Sequence, residues 1–172
     1  SVENMIEYST KGIDKYSFID AGCGNGWVIR KVSGDPKCSS ATGVDGSIHM
    51  IEKAKKAASE IKSQPSIMMV TVLTSLNDED LKNLGNNNVV IDQVKKLAEV
   101  AKEMAVGIVC SGQEAKIVRK IIGPDLLIFT PGIRMQNDSK DDQQRVCSPS
   151  QSIKNGSNKI IMGRSLIKGN IE

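Results

Sequence analysis

The sequence has few aromatic residues and no long apolar run. Phe, Tyr and Trp make up 3% of its 172 residues, which leaves little surface for stacking nucleic-acid bases. No apolar run approaches the roughly 20 residues that a membrane-spanning helix needs. The net charge of +3 comes from interleaved basic and acidic residues, without the basic tract that attracts nucleic acid or anionic lipid. We therefore expect no nucleic-acid partner and no membrane partner.

Metal-binding and disulfide patterns are also lacking. The chain has one histidine, and its four cysteines show no C-x-x-C spacing: Cys23, Cys38, Cys110 and Cys147. With no signal-peptide pattern, these cysteines are predicted to be reduced thiols of a cytoplasmic protein, with no metal site. The length suits one domain, but a complete (β/α)8 barrel usually needs about 200–250 residues.

Short apolar runs alternate with amphipathic segments along the chain. This rhythm predicts an α/β fold of about six parallel strands joined by helices in right-handed crossovers. Residues 1–16 are predicted to be a lead-in helix or a tail. The predicted strands are 17–21, 41–45, 67–73, 106–110, 126–129 and 159–162, and the predicted helices are 27–32, 47–62, 77–84, 89–104, 113–122 and one that opens at Pro149.

The last two predicted strands are each followed by a glycine and an arginine. Ligands bind at the carboxyl ends of parallel strands, where a glycine lets an anion approach backbone N–H groups and an arginine offers a planar fork of donors. The sequence therefore predicts a phosphate-binding rim. Its residues are Gly132 and Arg134 after the strand 126–129, Gly163 and Arg164 after the strand 159–162, and Gln143 on the polar loop between them.

Five motifs follow one another in the chain: V-T-V-L-T-S-L (70–76), G-I-V-C-S-G-Q-E (107–114), T-P-G-I-R (130–134), D-Q (142–143) and M-G-R-S (162–165). In this order they resemble bacterial orotidine 5′-monophosphate decarboxylases. The resemblance covers roughly residues 48–167 and implies the last four strands of a partial (β/α)8 barrel. It implies a pyrimidine nucleotide as ligand, with phosphate held by Arg134, Gln143, Gly163 and Arg164. It also implies a substrate contact at Thr74, although a strand threonine can equally pack its methyl group.

The catalytic array of that family has no counterpart in the sequence. The family's chemistry depends on an Asp-Lys-Asp-Lys array that includes a D-x-K-x-x-D motif. Asp80 precedes Lys82 by two residues, but no acid follows three residues after Lys82, and the segment is predicted to be helical. Without the lysine there is no proton donor for the carbanion, and without the carboxylates there is no preorganised charge. We assign no catalytic residue and expect no full decarboxylation by this chain.

The front of the chain resembles a different family. F-I-D-A-G-C-G-N-G (18–26) and G-V-D-G-S (43–47) are similar to the first βαβ unit of class I S-adenosylmethionine-dependent methyltransferases, over about residues 16–56. Glycines permit a tight turn at a nucleotide, and a later acid can hold ribose hydroxyls. The resemblance implies S-adenosylmethionine as a possible cofactor, but the glycines can also serve only a strand-to-helix turn. The implied binding residues are Asp20, Gly22, Gly24, Gly26 and Asp45.

Together these patterns predict a lead-in segment (1–16), a Rossmann-type, methyltransferase-like βαβ unit (17–47) and a decarboxylase-like half barrel (48–172), in one compact domain. The two resemblances overlap in 46–62, which is the expected seam of a fusion. Because six strands do not easily close a barrel, we expect a homo-oligomer. Three functions remain open: a decarboxylase-family nucleotide-phosphate binder, a methyltransferase, and an inactive natural or engineered hybrid.

Overall fold

A computed structural model of the chain describes residues 1–136 and 138–168. The structure has two compact units, Ser1–Ile67 and a second that begins at Met68. The predicted boundaries after residues 16 and 47 concern family resemblance rather than packing, and they stay predictions. No helix in the described part of the chain is long and apolar enough to cross a membrane.

The first unit is built on two parallel strands. Its elements are α1 (Val2–Thr10), β1 (Tyr16–Ala21), α2 (Trp27–Ser33), β2 (Cys38–Asp45) and α3 (Ile48–Ser59). The β1–α2–β2 order, with β1 and β2 paired in parallel, confirms the predicted βαβ unit, while its Rossmann-type, methyltransferase-like character stays a prediction. A Cβ at Gly43 would lie 2.7 Å from Ile29 Cδ1, so glycine lets the core face of α2 pack directly on β2. Residues 1–16, predicted as a helix or a tail, contain the helix α1.

The second unit repeats the βα pattern. It begins with the last three residues of β3 (Ser66–Val70). Its other elements are α4 (Asp78–Asn83), α5 (Val90–Glu103), β4 (Gly107–Val109), α6 (Ala115–Ile122), β5 (Ile128–Thr130), α7 (Pro149–Lys154), β6 (Lys159–Ile160) and α8 (Arg164–Lys168). The strands pair in parallel, β3 with β4, β4 with β5 and β5 with β6. In a (β/α)8 barrel, strands that are consecutive in the sequence are also neighbours in the sheet. The predicted α/β fold of partial-barrel type is therefore confirmed.

Buried apolar faces fix the helices of the second unit. The long helix α5 buries Val90, Val94, Ala98 and Ala101, which recur at helical spacing. All three residues of β4 and all three of β5 are buried, as expected for strands covered on both faces. A capping box between Asn77 and Asp80 starts α4, with both hydrogen bonds at 2.9 Å.

Two strands end two or three residues earlier than predicted. Strand β3 ends at Val70 rather than at residue 73, and β6 ends at Ile160 rather than at residue 162. In both cases apolar residues continue after the last paired residue of the strand. Val72 and Leu73 after β3, and Ile161 after β6, line a pocket. The helix α8 was not predicted, because its five residues are too few to show a helical period.

Candidate functional site

One pocket of the second unit contains every residue of the predicted phosphate rim and Thr74. The pocket has a volume of about 490 Å³ and lies at the carboxyl ends of β3 to β6. Apolar side chains form much of its wall, including Val70, Val72 and Val109. The predicted ligand residues that line it are Thr74, Arg134, Gln143, Gly163 and Arg164. Residues that are up to 90 positions apart in the sequence are therefore neighbours in the fold.

Arg134 is buried at this pocket, with 8% of its surface exposed. Its Nε donates to the Ser139 carbonyl at 2.9 Å, and its Nη1 donates to the carbonyl of Ile133 at 3.0 Å. Its Nη2 has no hydrogen-bond partner among the described residues, and the nearest carboxylate oxygen, Asp141 Oδ2, is 3.9 Å away. A buried donor without an acceptor carries a desolvation cost that an incoming anion would remove.

Arg164 is the first residue of α8, and its side chain is 41% exposed. Its Nη1 lies 3.4 Å from Asp141 Oδ2, and its Nη2 forms a close ion pair with Asp142 Oδ1. The hydrogen bond from Arg164 is the main reason that the pKa of Asp142 is lowered from its ordinary value. The fork of donors that was predicted to hold phosphate is thus occupied by two carboxylates of this chain.

Gln143 and Thr74 contact each other across the pocket. The Thr74 hydroxyl donates to Gln143 Oε1 in a close hydrogen bond, and Gln143 Nε2 donates to Asp142 Oδ2 at 3.1 Å. Thr74 lies beyond the end of β3, and its methyl group faces Gly132. Its predicted contact with a substrate stays a prediction. Gly163 has open space where a side chain would begin, so a ligand can approach its backbone.

Two functional candidates escaped the sequence prediction. Arg145 and Glu114 form a buried ion pair, with Arg145 Nε 2.6 Å from Glu114 Oε1. Burial raises the pKa of Glu114, and the Arg145 charge opposes that rise. A signal was present, since Arg145 follows Gln143 by two residues and Glu114 ends the motif G-I-V-C-S-G-Q-E. The sequence nevertheless gives no reason to expect an ion pair between two charged residues that lie 31 positions apart.

Burial disfavours the thiolate form of two cysteines near these sites. Cys110 lines the 490 Å³ pocket, and burial raises the pKa of its thiol. Burial also raises the pKa of Cys23, in the first unit, to about 11. A raised pKa favours the protonated thiol over the thiolate, which is the nucleophilic form. Among the described residues, no group of three or more His, Cys, Asp or Glu side chains could hold a metal ion.

The predicted cofactor residues of the first unit are divided between two roles. Gly22, Gly24 and Gly26 all have positive φ and form the turn between β1 and α2. Asp45 accepts hydrogen bonds from the backbone N–H groups of Gly24, at 2.9 Å, and of Ser47, at 2.8 Å. The Asp45 carboxylate therefore stabilises the turn. This agrees with the alternative that these residues serve only a strand-to-helix turn.

A separate pocket of about 330 Å³ in the first unit is lined by Asp20 and Gly22, together with Trp27 and Cys23. The other predicted cofactor residues, Gly24, Gly26 and Asp45, are not among the described residues that line it. Burial, and secondarily the charge of Asp45, raises the pKa of Asp20. Binding of S-adenosylmethionine at these residues stays a prediction.

Comparisons with known proteins match this arrangement to one family. The sequence model of the Orotidine 5′-phosphate decarboxylase / HUMPS family matches residues 39–170. The chain is 37% identical over 124 residues to the orotidine 5′-phosphate decarboxylase of Dichelobacter nodosus (strain VCS1703A), which is 72% of this chain and 54% of that protein. It is 39% identical over 125 residues to the decarboxylase of Shewanella sediminis (strain HAW-EB3), which is 72% of this chain and 53% of that protein.

A crystal structure of orotidine 5′-phosphate decarboxylase from Lactobacillus acidophilus superposes with a TM-score of 0.68 at 26% identity, covering 99% of this chain and 75% of that one. The chain spans about half the length of the curated relatives it matches. The predicted fusion with a methyltransferase is not confirmed and stays a prediction. From the match over residues 39–170, the chain belongs to the Orotidine 5′-phosphate decarboxylase / HUMPS family.

Proposed function

We propose that the chain binds the phosphate of a pyrimidine nucleotide in the 490 Å³ pocket of its second unit. The observation that carries this proposal is the convergence of Thr74, Arg134, Gln143, Gly163 and Arg164 on that pocket. The buried Nη2 of Arg134, which has no hydrogen-bond partner among the described residues, adds a donor that an anion would satisfy. A pocket of this size with an apolar wall and a few convergent polar groups is typical of a small-molecule site.

Four of the rim residues have distinct parts in this proposal. Arg164 addresses the phosphate with its planar fork, and the Gly163 N–H addresses a second oxygen. Gln143 offers its side-chain amide, and Arg134 offers its Nη2, which makes no hydrogen bond to the described residues. The apolar wall that includes Val72 and Ile161 then faces the nucleoside. Phosphate takes the place of the carboxylates that now hold Arg164, so binding exchanges one set of anions for another.

Full decarboxylation is not part of the proposal. The sequence contains no D-x-K-x-x-D motif, and the chain spans about half the length of the curated relatives it matches. Phosphate binding and the chemical step use different residues, so the first can exist without the second. We also propose a cytoplasmic location, and a homo-oligomer in which sheet-edge backbone groups find partners.

A calorimetric titration with uridine 5′-monophosphate tests the proposal. Wild type should bind, and Arg164→Ala should weaken binding about 10- to 100-fold, since a charge-assisted hydrogen bond contributes about 1.5–3 kcal/mol. Lys120→Ala removes an exposed cation of α6 and is the matched control, which should bind like wild type. If wild type does not bind, or if Arg164→Ala binds equally well, the inactive hybrid is the better description.

A second candidate function is an S-adenosylmethionine-dependent methyltransferase. The observation that favours it is the 330 Å³ pocket at the glycine turn of the first unit, which Asp20 and Gly22 line. Against it stands the engagement of Asp45 with the backbone of the turn. The same calorimeter experiment with S-adenosylmethionine decides the matter, because micromolar binding that is unaffected by Arg164→Ala would place a second ligand in the first unit.

A further inference from the structure

The guanidinium group of Arg145 joins the loop that carries Gln143 to the turn that follows β3. Its Nη2 donates to the carbonyl of Val72 at 2.9 Å. Its Nη1 donates to the carbonyl of Leu73 at 3.2 Å, and to that of Leu76 in a close contact. Three carbonyls of one five-residue turn are therefore held by a single side chain. Thr74 lies at the centre of that turn.

Backbone hydrogen bonds reinforce the same junction. The N–H groups of Gln144 and Arg145 both donate to the carbonyl of Thr74, at 2.9 and 3.1 Å. The side-chain hydrogen bond from Thr74 to Gln143 joins the same two segments. The relative position of these two pocket residues thus depends on the contacts that Arg145 makes on both sides of them.

Glu114 fixes the orientation of the guanidinium. Its Oε1 accepts from Arg145 Nε at 2.6 Å, and its Oε2 accepts from the N–H of Ser111 at 3.1 Å. The Ser111 hydroxyl in turn donates to the Arg145 carbonyl at 3.1 Å. The Arg145 side chain is 13% exposed and that of Glu114 is 5% exposed. Separating two charges buried to this degree is costly, because each would be left without a partner. The pair therefore holds the guanidinium in one orientation.

Neither member of the pair is among the described residues that line the 490 Å³ pocket. Their contribution to ligand binding must therefore pass through the residues they hold. We propose that Arg145, oriented by Glu114, is a positioning residue that sets Thr74 and Gln143 for the phosphate end of a nucleotide. This inference rests on the proposed function of the pocket and adds to it two residues that do not touch the ligand.

Arg119 provides a matched control. Its guanidinium also joins separate segments, donating to the carbonyls of Gly123 and Leu126, each at 2.7 Å, and to that of Gly156 at 2.9 Å. It is not among the described residues that line the 490 Å³ pocket. Arg119→Lys and Arg145→Lys therefore remove comparable sets of hydrogen bonds, but only the second set surrounds Thr74 and Gln143.

The test compares the two variants by uridine 5′-monophosphate titration and by amide hydrogen exchange. Arg145→Lys should weaken binding about 10- to 100-fold, because small displacements of contact groups have large effects. Arg119→Lys should change the affinity for uridine 5′-monophosphate by less than about twofold, when the two variants are compared at the same folded fraction. Glu114→Gln, which keeps the shape of the pair, should fall between them and serves as the second variant if Arg145→Lys does not fold. Equal affinities for the Arg145 and Arg119 variants would overturn the inference.

Hydrogen exchange separates this inference from the proposed function. In Arg145→Lys the amide of Gln144, which donates to Thr74, should exchange about tenfold faster, while in Arg119→Lys it should not change. If wild type binds no phosphate ligand, the proposed function fails, yet the exchange result still decides whether Arg145 positions the two residues. An unchanged Gln144 amide in Arg145→Lys would show that the junction holds without the guanidinium.

Discussion

Arg134 Nη2 lies 3.9 Å from Asp141 Oδ2, too far for a hydrogen bond. The same carboxylate oxygen lies 3.4 Å from Arg164 Nη1. Asp141 therefore stands between the two arginines of the pocket, at the position where one anion could interact with both. A ligand phosphate and the Asp141 carboxylate compete for the same positive charge.

Replacing Asp141 with Asn should strengthen binding of uridine 5′-monophosphate. Partly exposed ion pairs contribute about 0.2–1 kcal/mol, so removing the competing charge should increase affinity by up to about fivefold. Asn suits the site because Asp141 has a φ of 51°, a conformation that Asn adopts more readily than most residues. Asp125→Asn removes an exposed acid outside the pocket and should leave affinity unchanged. Weaker binding by Asp141→Asn would show that the carboxylate assists the ligand instead.

Gly163 and Gly132 should respond differently to alanine. A Cβ at Gly163 meets open space, so the free energy of unfolding of Gly163→Ala should lie within about 0.5 kcal/mol of the wild-type value. It should nevertheless bind uridine 5′-monophosphate about tenfold more weakly, if a phosphate oxygen approaches the N–H and that hydrogen bond is lost. Chemical denaturation and calorimetry on the same samples provide both numbers.

Gly132→Ala should instead lower the free energy of unfolding, by about 1–3 kcal/mol. Gly132 has a φ of 72°, and a Cβ there would lie 3.1 Å from the Arg145 carbonyl oxygen. A stable Gly132→Ala together with an unstable Gly163→Ala would contradict the described conformation of both turns.

Asp45→Ala should destabilise the first unit even without any cofactor. The substitution removes the acceptor for the N–H groups of Gly24 and Ser47, at a cost of about 1–3 kcal/mol. Asp14→Ala, an exposed acid of the same unit, is the control and should have almost no effect on the denaturation midpoint. If Asp45→Ala is as stable as wild type but loses S-adenosylmethionine binding, the acid serves the ligand rather than the turn.

The purified chain should not release CO2 from orotidine 5′-monophosphate. No lysine lies between two acids in the D-x-K-x-x-D spacing, so the carbanion has no positioned proton donor. The measurement needs protein from a host without its own decarboxylase. Turnover that is retained through purification and lowered in Arg164→Ala would mean that another group replaces the missing lysine.

The sequence predicts the alternation of strands and helices well, because each apolar period is local. It places strand ends less well, since Val72 and Leu73 extend the apolar pattern of β3 after its hydrogen bonds have ended. The convergence of the rim residues follows from the rule that parallel strands end at one edge. The Arg145–Glu114 pair could not be predicted, because it depends on how the loop after β5 folds back over the turn after β3. The role of Asp45 likewise depends on the conformation of the glycine turn.

Asp142 contacts two of the predicted phosphate ligands at once, Arg164 through Oδ1 and Gln143 through Oδ2. An arriving phosphate therefore does not meet two unoccupied donors but displaces a resident acid from both. Added salt weakens the resident ion pair as well as the new one, so the two effects partly cancel. We expect the affinity for a nucleotide to change less with ionic strength than the two arginines of the pocket would suggest. When the ligand dissociates, the Asp142 carboxylate can pair again with both donors, which favours ligand release.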